Sequence, residues 1–161
     1  YVSTFSKILF PSARLGFMAV PPVVAKEIAK LKKISSRQNE QILQDTVARW
    51  MGSGGFERHL RRMRRAYEER RNEMLQALAQ LRDEYQEDIS WLAPDGGMAL
   101  WLNISRDSKA FAEKAMRHSI FVNPESGFRF DKKAGTHLRL GFSGQTAREN
   151  RDGLQKMIAL L

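Results

Sequence analysis

Eight apolar residues, Phe56, Leu60, Met63, Tyr67, Met74, Leu78, Leu81 and Tyr85, recur at steps of 4, 3, 4, 7, 4, 3 and 4. Steps of three and four place side chains on one stripe of an α-helix. The stripe predicts a helix about thirty residues long, or about 45 Å at 1.5 Å per residue. A helix of that length in a chain of 161 residues outruns one small body. It is expected to bridge two bodies or to lie along a partner. Seven arginines, Arg58, Arg61, Arg62, Arg64, Arg65, Arg70 and Arg71, share this segment with Glu57, Glu68 and Glu69. One reading is a solvated face with ion pairs such as Glu57–Arg61 and Arg65–Glu69 at four-residue spacing. The other is a stripe that binds phosphates. No aromatic interleaving accompanies the run, which favours the solvated face.

The net charge of +9 invites a nucleic-acid reading of the whole chain. The excess is spread, however: +5 over residues 1–35, +4 over 36–82, −5 over 83–107 and +5 over 108–161. With 42% hydrophobic residues the chain is too apolar for a disordered polycation. It has no cysteine, which excludes a disulfide scaffold, a thiol nucleophile and a cysteine-ligated metal. His59, His118 and His137 lack metal-ligand spacing. The most apolar stretch, Gly16 to Ala25, contains Pro21 and Pro22 and is too short to span a membrane. No export signal is visible, so a cytoplasmic location is expected. A first residue other than Met, with the strongest motif inside the first fourteen residues, is expected of a piece of a longer chain.

Flanking the long helix, the pattern alternates between strand and helix. Residues 1–10 suit a strand end and a loop before Pro11. Leu15 to Val20 reads as a short buried strand. Pro22 can open a helix with Val24, Ile28 and Leu31 on one face. A second helix is expected near 38–51, broken by Gly52-Ser53-Gly54-Gly55. Beyond the long helix, Met98 to Ile104 and Ile120 to Val122 read as strands, the latter stopped by Pro124. Asp107 or Ser108 can cap the helix between them. His137 to Ser143 alternates as a strand. Thr146 and Glu149 form a capping box for a last helix with Leu154, Met157, Ile158 and Leu161 inward. The pattern is that of a small α/β domain.

Chemistry concentrates near the start, in "STFSKILFPSARLGF". Thr4 and Ser6 stand three and one residues before Lys7, and Arg14 follows seven after it. Hydroxyls and a guanidinium around one turn make a phosphate cradle. Fixed positive charge beside a lysine favours its free amine. A lone Ser-Lys pair is ordinarily a surface loop. In combination, a phosphate cradle and an activated lysine suit a Schiff-base cofactor such as pyridoxal 5′-phosphate.

That segment closely resembles the cofactor-lysine segment of fold-type I pyridoxal-phosphate proteins, the aspartate-aminotransferase-like group. The resemblance implies that Lys7 carries the cofactor, that Thr4 and Ser6 are cofactor-site hydroxyls, and that Arg14 binds the phosphate. "HLRLGFS" resembles the strand that holds a substrate α-carboxylate, which implies that role for Arg139; composition alone would leave Arg139 on the exposed face of an alternating strand. The implied fold is α/β, the C-terminal part of an aspartate-aminotransferase-like fold. Its expected divisions are the end of the large domain over 1–53, a long bridging helix over 54–86 and a small α/β domain over 87–161. "GGFERHLRRMRRAYEERRNEML" and "APDGGMALWLNI" are most similar to MocR-type regulators of the GntR superfamily. Those regulators join a winged helix to an aminotransferase-like effector domain.

Three functions follow as expectations. The first is the effector domain of a MocR-type transcriptional regulator. It would bind pyridoxal 5′-phosphate through Lys7 together with a small amine or amino-acid ligand. It would meet DNA through a winged helix upstream of this chain, and would be a homodimer when complete. The second is a class I/II aminotransferase using the same residues on an amino acid and a 2-oxo acid. The third, weaker, is a basic nucleic-acid binder in its own right.

Overall fold

The computed structural model describes residues 1–37 and 40–161. In order, the elements are strands β1 (Val2–Thr4) and β2 (Gly16–Met18), then helices α1 (Pro22–Ser35), α2 (Gln41–Gly52) and α3 (Gly55–Tyr85). There follow β3 (Ser90–Trp91), β4 (Ala99–Asn103), α4 (Ser108–Arg117), β5 (Asn123–Pro124), β6 (His137–Gly141) and α5 (Ala147–Ile158). The chain divides into two compact units, Tyr1–Arg64 and Arg65–Leu161. The apolar stripe forms one unbroken helix of 31 residues, α3. The helix expected near 38–51 is α2; Gln38 and Asn39 lie outside the described residues.

In the first unit, β1 and β2 form an antiparallel hairpin in which Ser3 faces Phe17 and Thr4 faces Gly16. A side chain at Gly16 would place its Cβ 2.9 Å from the Ser3 carbonyl oxygen, so the close pairing requires glycine. The buried strand expected over Leu15–Val20 is shorter, and all three of its residues are exposed. Two strands alone cover neither face of a sheet. Helix α1 likewise buries none of its residues.

The second unit carries the main core. Its four strands are ordered β3-β4-β6-β5, and every neighbouring pair is antiparallel. β4 and β5 therefore run in the same direction with β6 between them, and α4 makes the crossover. Leu100, Leu102, Ile104, Leu138, Leu140 and Phe142 turn one way. They meet Met74, Ala77, Leu78 and Leu81 of α3, Phe111 and Ala115 of α4, and Leu154, Met157 and Ile158 of α5 in one buried cluster. Alternation leaves Trp101, His137 and Arg139 on the opposite face.

Both expected caps form. Asp107 Oδ1 accepts from the Lys109 and Ala110 backbone N–H groups at 2.8 and 3.1 Å. Thr146 and Glu149 form a complete capping box. The strand expected over Ile120–Val122 is displaced to Asn123–Pro124. Its first N–H is claimed by the end of α4: Ile120 N donates to Ala115 O, next to the bond from Ser119 N to Met116 O. Ser119 takes the left-handed conformation, φ 61°, that this helix ending needs. Pairing with β6 begins only after that turn. Strand β3, two residues long, is too short to show a sequence period.

Candidate functional site

Thr4 ends β1, and the excursion from there to β2 carries Ser6, Lys7 and Arg14, so four of the five predicted site residues lie in this segment. Phe5 N donates to Leu15 O at 2.9 Å and closes its neck. Inside it, Ile8 and Leu9 N–H groups both bond the Phe5 carbonyl, at 3.0 and 2.8 Å, in a tight turn around Lys7. The second arm is a single 3-10 turn, Pro11–Ala13. It ends at Arg14, which adopts φ 45°, ψ 30°.

The hydroxyls meet. Thr4 Oγ1 lies 3.0 Å from Ser6 Oγ and 3.1 Å from the Leu15 carbonyl oxygen, and accepts from Ser6 N at 3.2 Å. Thr4 has one hydroxyl proton and the Leu15 oxygen can only accept. When that proton goes to Leu15, the Ser6 hydroxyl donates to Thr4, and the pair is locked in orientation. Among the described residues, neither the Lys7 ammonium nor the Arg14 guanidinium engages a hydrogen-bond or ion-pair partner, and both residues are exposed. Two cationic groups and two hydroxyls thus share one loop, with the cations uncommitted.

A set of aromatic side chains, whose supporting role no local pattern in the sequence signals, holds this loop. Phe5 touches Phe17 at 5.4 Å between ring centroids and Phe56 edge-on at 5.9 Å. Trp50 packs on Phe56 at 5.5 Å and on His59 at 5.3 Å. His59 Nε2 reaches the carbonyl of Ile8, next to Lys7, at 2.8 Å. Arg62 donates to the other ring nitrogen, Nδ1, at 3.2 Å, which leaves Nε2–H as the donor to Ile8. The first turns of α3 therefore fix the backbone immediately after the lysine. No local pattern marks His59, because its partner is 51 residues away.

Arg139 lies in the second unit. On β6 it faces Trp101 of β4 on one side and Asn123 of β5 on the other. Trp101 stacks on His137 at 5.7 Å and meets Phe128 edge-on at 5.5 Å. The His137 N–H donates to Glu125 Oε2 at 3.2 Å, and its Nδ1 lies 3.1 Å from the same oxygen. Arg129 binds the other Glu125 oxygen at 3.0 Å and grips both oxygens of Asp131 at 2.9 Å. These bonds from Arg129, joined by those of His137, hold the Glu125 carboxyl below its usual range. Arg129 draws the Asp131 carboxyl down to about 2. The Arg139 guanidinium itself has no hydrogen-bond or ion-pair partner among the described residues.

The sequence pattern of aminotransferase class I and II matches residues 1–157. The chain belongs to that family. It is 27% identical over 160 residues to an aromatic-amino-acid aminotransferase of Thermococcus litoralis, covering 98% of this chain and 37% of the relative. It is 30% identical over 147 residues to the HTH-type transcriptional regulator YisV of Bacillus subtilis, covering 89% and 29%. Other relatives are HTH-type transcriptional regulators of Bacillus subtilis, and one is the probable rhizopine catabolism regulatory protein MocR of Rhizobium meliloti, 29% identical over 159 residues and covering 98% of this chain and 32% of the relative. The crystal structure of a Pyrococcus horikoshii kynurenine aminotransferase superposes with a TM-score of 0.85 at 27% identity, over 99% of this chain and 39% of that one. The fold is thus aspartate-aminotransferase-like, as the sequence implied. The chain spans well under half the length of each of these relatives.

Proposed function

We propose that this family member is the aminotransferase-like effector part of a MocR-type regulator of the GntR superfamily, with pyridoxal 5′-phosphate held through Lys7. The observation that carries the reading is the lysine loop: two mutually oriented hydroxyls and two uncommitted cations between paired strands. The donor set fits the cofactor. Lys7 offers a primary amine for its aldehyde. The Arg14 fork suits two oxygens of a phosphate. Thr4 and Ser6 supply hydroxyls beside it. The bond from His59 to Ile8 O steadies the backbone that carries the lysine.

When bound, the cofactor supplies an aldehyde carbon for amines and a ring that withdraws electrons from them. The remaining work falls to the chain. Arg14 neutralises and orients the phosphate. Lys7 Nζ would hold the cofactor through its aldehyde carbon and, when free of it, would hold or move a proton beside the ligand amine. Arg139, unpaired on its strand, receives a ligand carboxylate bidentately. For a sensor the requirement is different affinity for two conformations, not turnover. The divisions 1–53, 54–86 and 87–161 then correspond to the end of a large domain, a bridging helix and a small domain. DNA would be met by a winged helix outside this segment. The complete protein would be a cytoplasmic homodimer.

The relation to the Thermococcus aminotransferase favours a second reading, in which the same residues serve amino-group transfer to a 2-oxo acid. One experiment tests the shared site. After incubation with pyridoxal 5′-phosphate, borohydride should fix a phosphopyridoxyl group on the peptide containing Lys7, and Lys7→Ala should abolish it. A fixed adduct that survives Lys7→Ala overturns the assignment. Sustained multiple-turnover transfer by the complete gene product, without ligand-dependent DNA binding, decides for the enzyme.

A further inference from the structure

The arginine run on α3 is not absorbed by this function, and the structure sorts its members. Arg71 donates to the carbonyls of Pro94 and Asp95 at 3.1 and 3.2 Å, and Arg70 to that of Ser143. These two pin loops of the second unit. Arg58, Arg61 and Arg62, in the first unit, are all exposed. The expected ion pair Glu57–Arg61 does not form, nor does Arg65–Glu69, and among the described residues none of the three arginines has an acidic partner. Arg62 uses one donor on His59 Nδ1 and keeps four. At 3.6 residues per turn the three side chains fall within an arc of about 100°. That arc lies opposite the apolar stripe of Phe56, Leu60 and Met63.

We propose that Arg58, Arg61 and Arg62 form a contact surface for the sugar-phosphate backbone of duplex DNA. This goes beyond the functional reading above, in which DNA is met only by a domain outside this segment. Like charges three and four residues apart on a helix repel one another. With no acid bound to them, polyanion binding relieves that repulsion. The rise from Arg58 to Arg62 is about 6 Å. A duplex presents one phosphate per about 1.7 Å of axis, so about three phosphates lie alongside three guanidiniums. Guanidinium suits phosphate through its bidentate fork. The arc carries no apolar or aromatic side chain between the arginines, as insertion into a lipid surface would require. Contact with phosphate alone carries no base preference, so the surface would position a duplex and leave its sequence unread.

The test is anisotropy of a fluorescent random-sequence duplex titrated with the chain across a range of NaCl concentrations. For three phosphates log K is expected to fall against log salt with a slope of about −2.7, at 0.9 per phosphate. Arg58→Gln/Arg61→Gln should reduce the slope to about −0.9 and weaken binding roughly tenfold or more at low salt. Arg58→Lys/Arg61→Lys keeps the charge and should keep the slope. Gln and Lys are both good helix formers, and far-UV circular dichroism checks that α3 survives. The proposal is overturned if the parent chain does not bind duplex, or if the Gln variant keeps the parental slope. Preferential binding to vesicles of phosphatidylcholine and phosphatidylserine overturns it equally. The borohydride adduct on Lys7, measured in the same samples, reports the cofactor reading separately. Loss of one result therefore leaves the other standing.

Discussion

Gly55, the first residue of α3, sits where two opposed effects can be weighed. A Cβ there would lie 2.3 Å from Trp50 Nε1 and 2.4 Å from Trp50 Cδ1. Alanine is a better helix former than glycine by at most about 1 kcal/mol. Against that gain stands the overlap. The Trp50 ring cannot simply swing away, because Phe56 and His59 flank it at 5.5 and 5.3 Å. Overpacking of this kind costs about 1–3 kcal/mol. Gly55→Ala is therefore expected to be net destabilising by about 1–2 kcal/mol. Gly52→Ala, with nothing within 4 Å of its Cβ, is the control and should be neutral or slightly stabilising. At a slope near 2 kcal/mol per molar urea, the Gly55 variant should unfold about 0.5–1 M earlier. The effect should also reach the lysine loop. A displaced Trp50 moves His59, and His59 Nε2 holds the carbonyl beside Lys7. Less borohydride-fixed cofactor per chain is expected in Gly55→Ala, and unchanged uptake in Gly52→Ala. Replacing Trp50 by leucine in the Gly55→Ala background removes the obstacle and should recover part of the stability. If Gly55→Ala proves as stable as Gly52→Ala, the wedged arrangement of Trp50 is wrong, and with it the account of how α3 steadies the loop.

Two further outcomes follow from the second unit. Leu102 is completely buried at the centre of the sheet, so Leu102→Ala should cost about 2–5 kcal/mol in urea unfolding, whereas the exposed Leu92→Ala should stay within about 0.5 kcal/mol of the parent. Arg129 draws the Asp131 carboxyl down to about 2 from an ordinary value of 3.8; the folded value lies below the unfolded one, so the contribution to stability is full above the unfolded value and is lost as pH falls toward 2. NMR titration of the carboxyl carbons should show the Asp131 midpoint rising toward its ordinary range in Arg129→Gln, and an unmoved midpoint would show that Arg129 is not the cause.

What could be read before folding was what lay close together in the chain. The stripe of α3, the caps at Asp107 and Thr146 and the alternation of β6 each depend on residues within a few positions of one another, and each took its expected form. The lysine loop was legible for the same reason. Thr4, Ser6, Lys7 and Arg14 span eleven residues, so one local stretch, closed by Phe5 N on Leu15 O, carries all four. The misplaced elements are those decided by competition for one hydrogen-bonding group. Ile120 N–H can pair with β6 or close α4, and no side-chain pattern records that the helix takes it.

The supporting residues of the site were hidden for a different reason. His59 reads locally as one polar residue among arginines, and Phe56 as one member of the apolar stripe. Their role depends on contacts made across about fifty residues, through Ile8 O and the Phe5 ring. Burial shows a related limit. An apolar run such as Leu15 to Val20 states that a covering surface is needed, but not which residues provide it. In the first unit β2 is formed, yet its residues stay exposed, while the matching alternation of β4 and β6 in the second unit is covered by three helices. The same hydrophobic signal thus yields a packed strand or an open one, according to how many elements fold against it. A variant that truncates Met18, exposed on β2, should therefore cost the isolated chain little, and far less than Leu102→Ala.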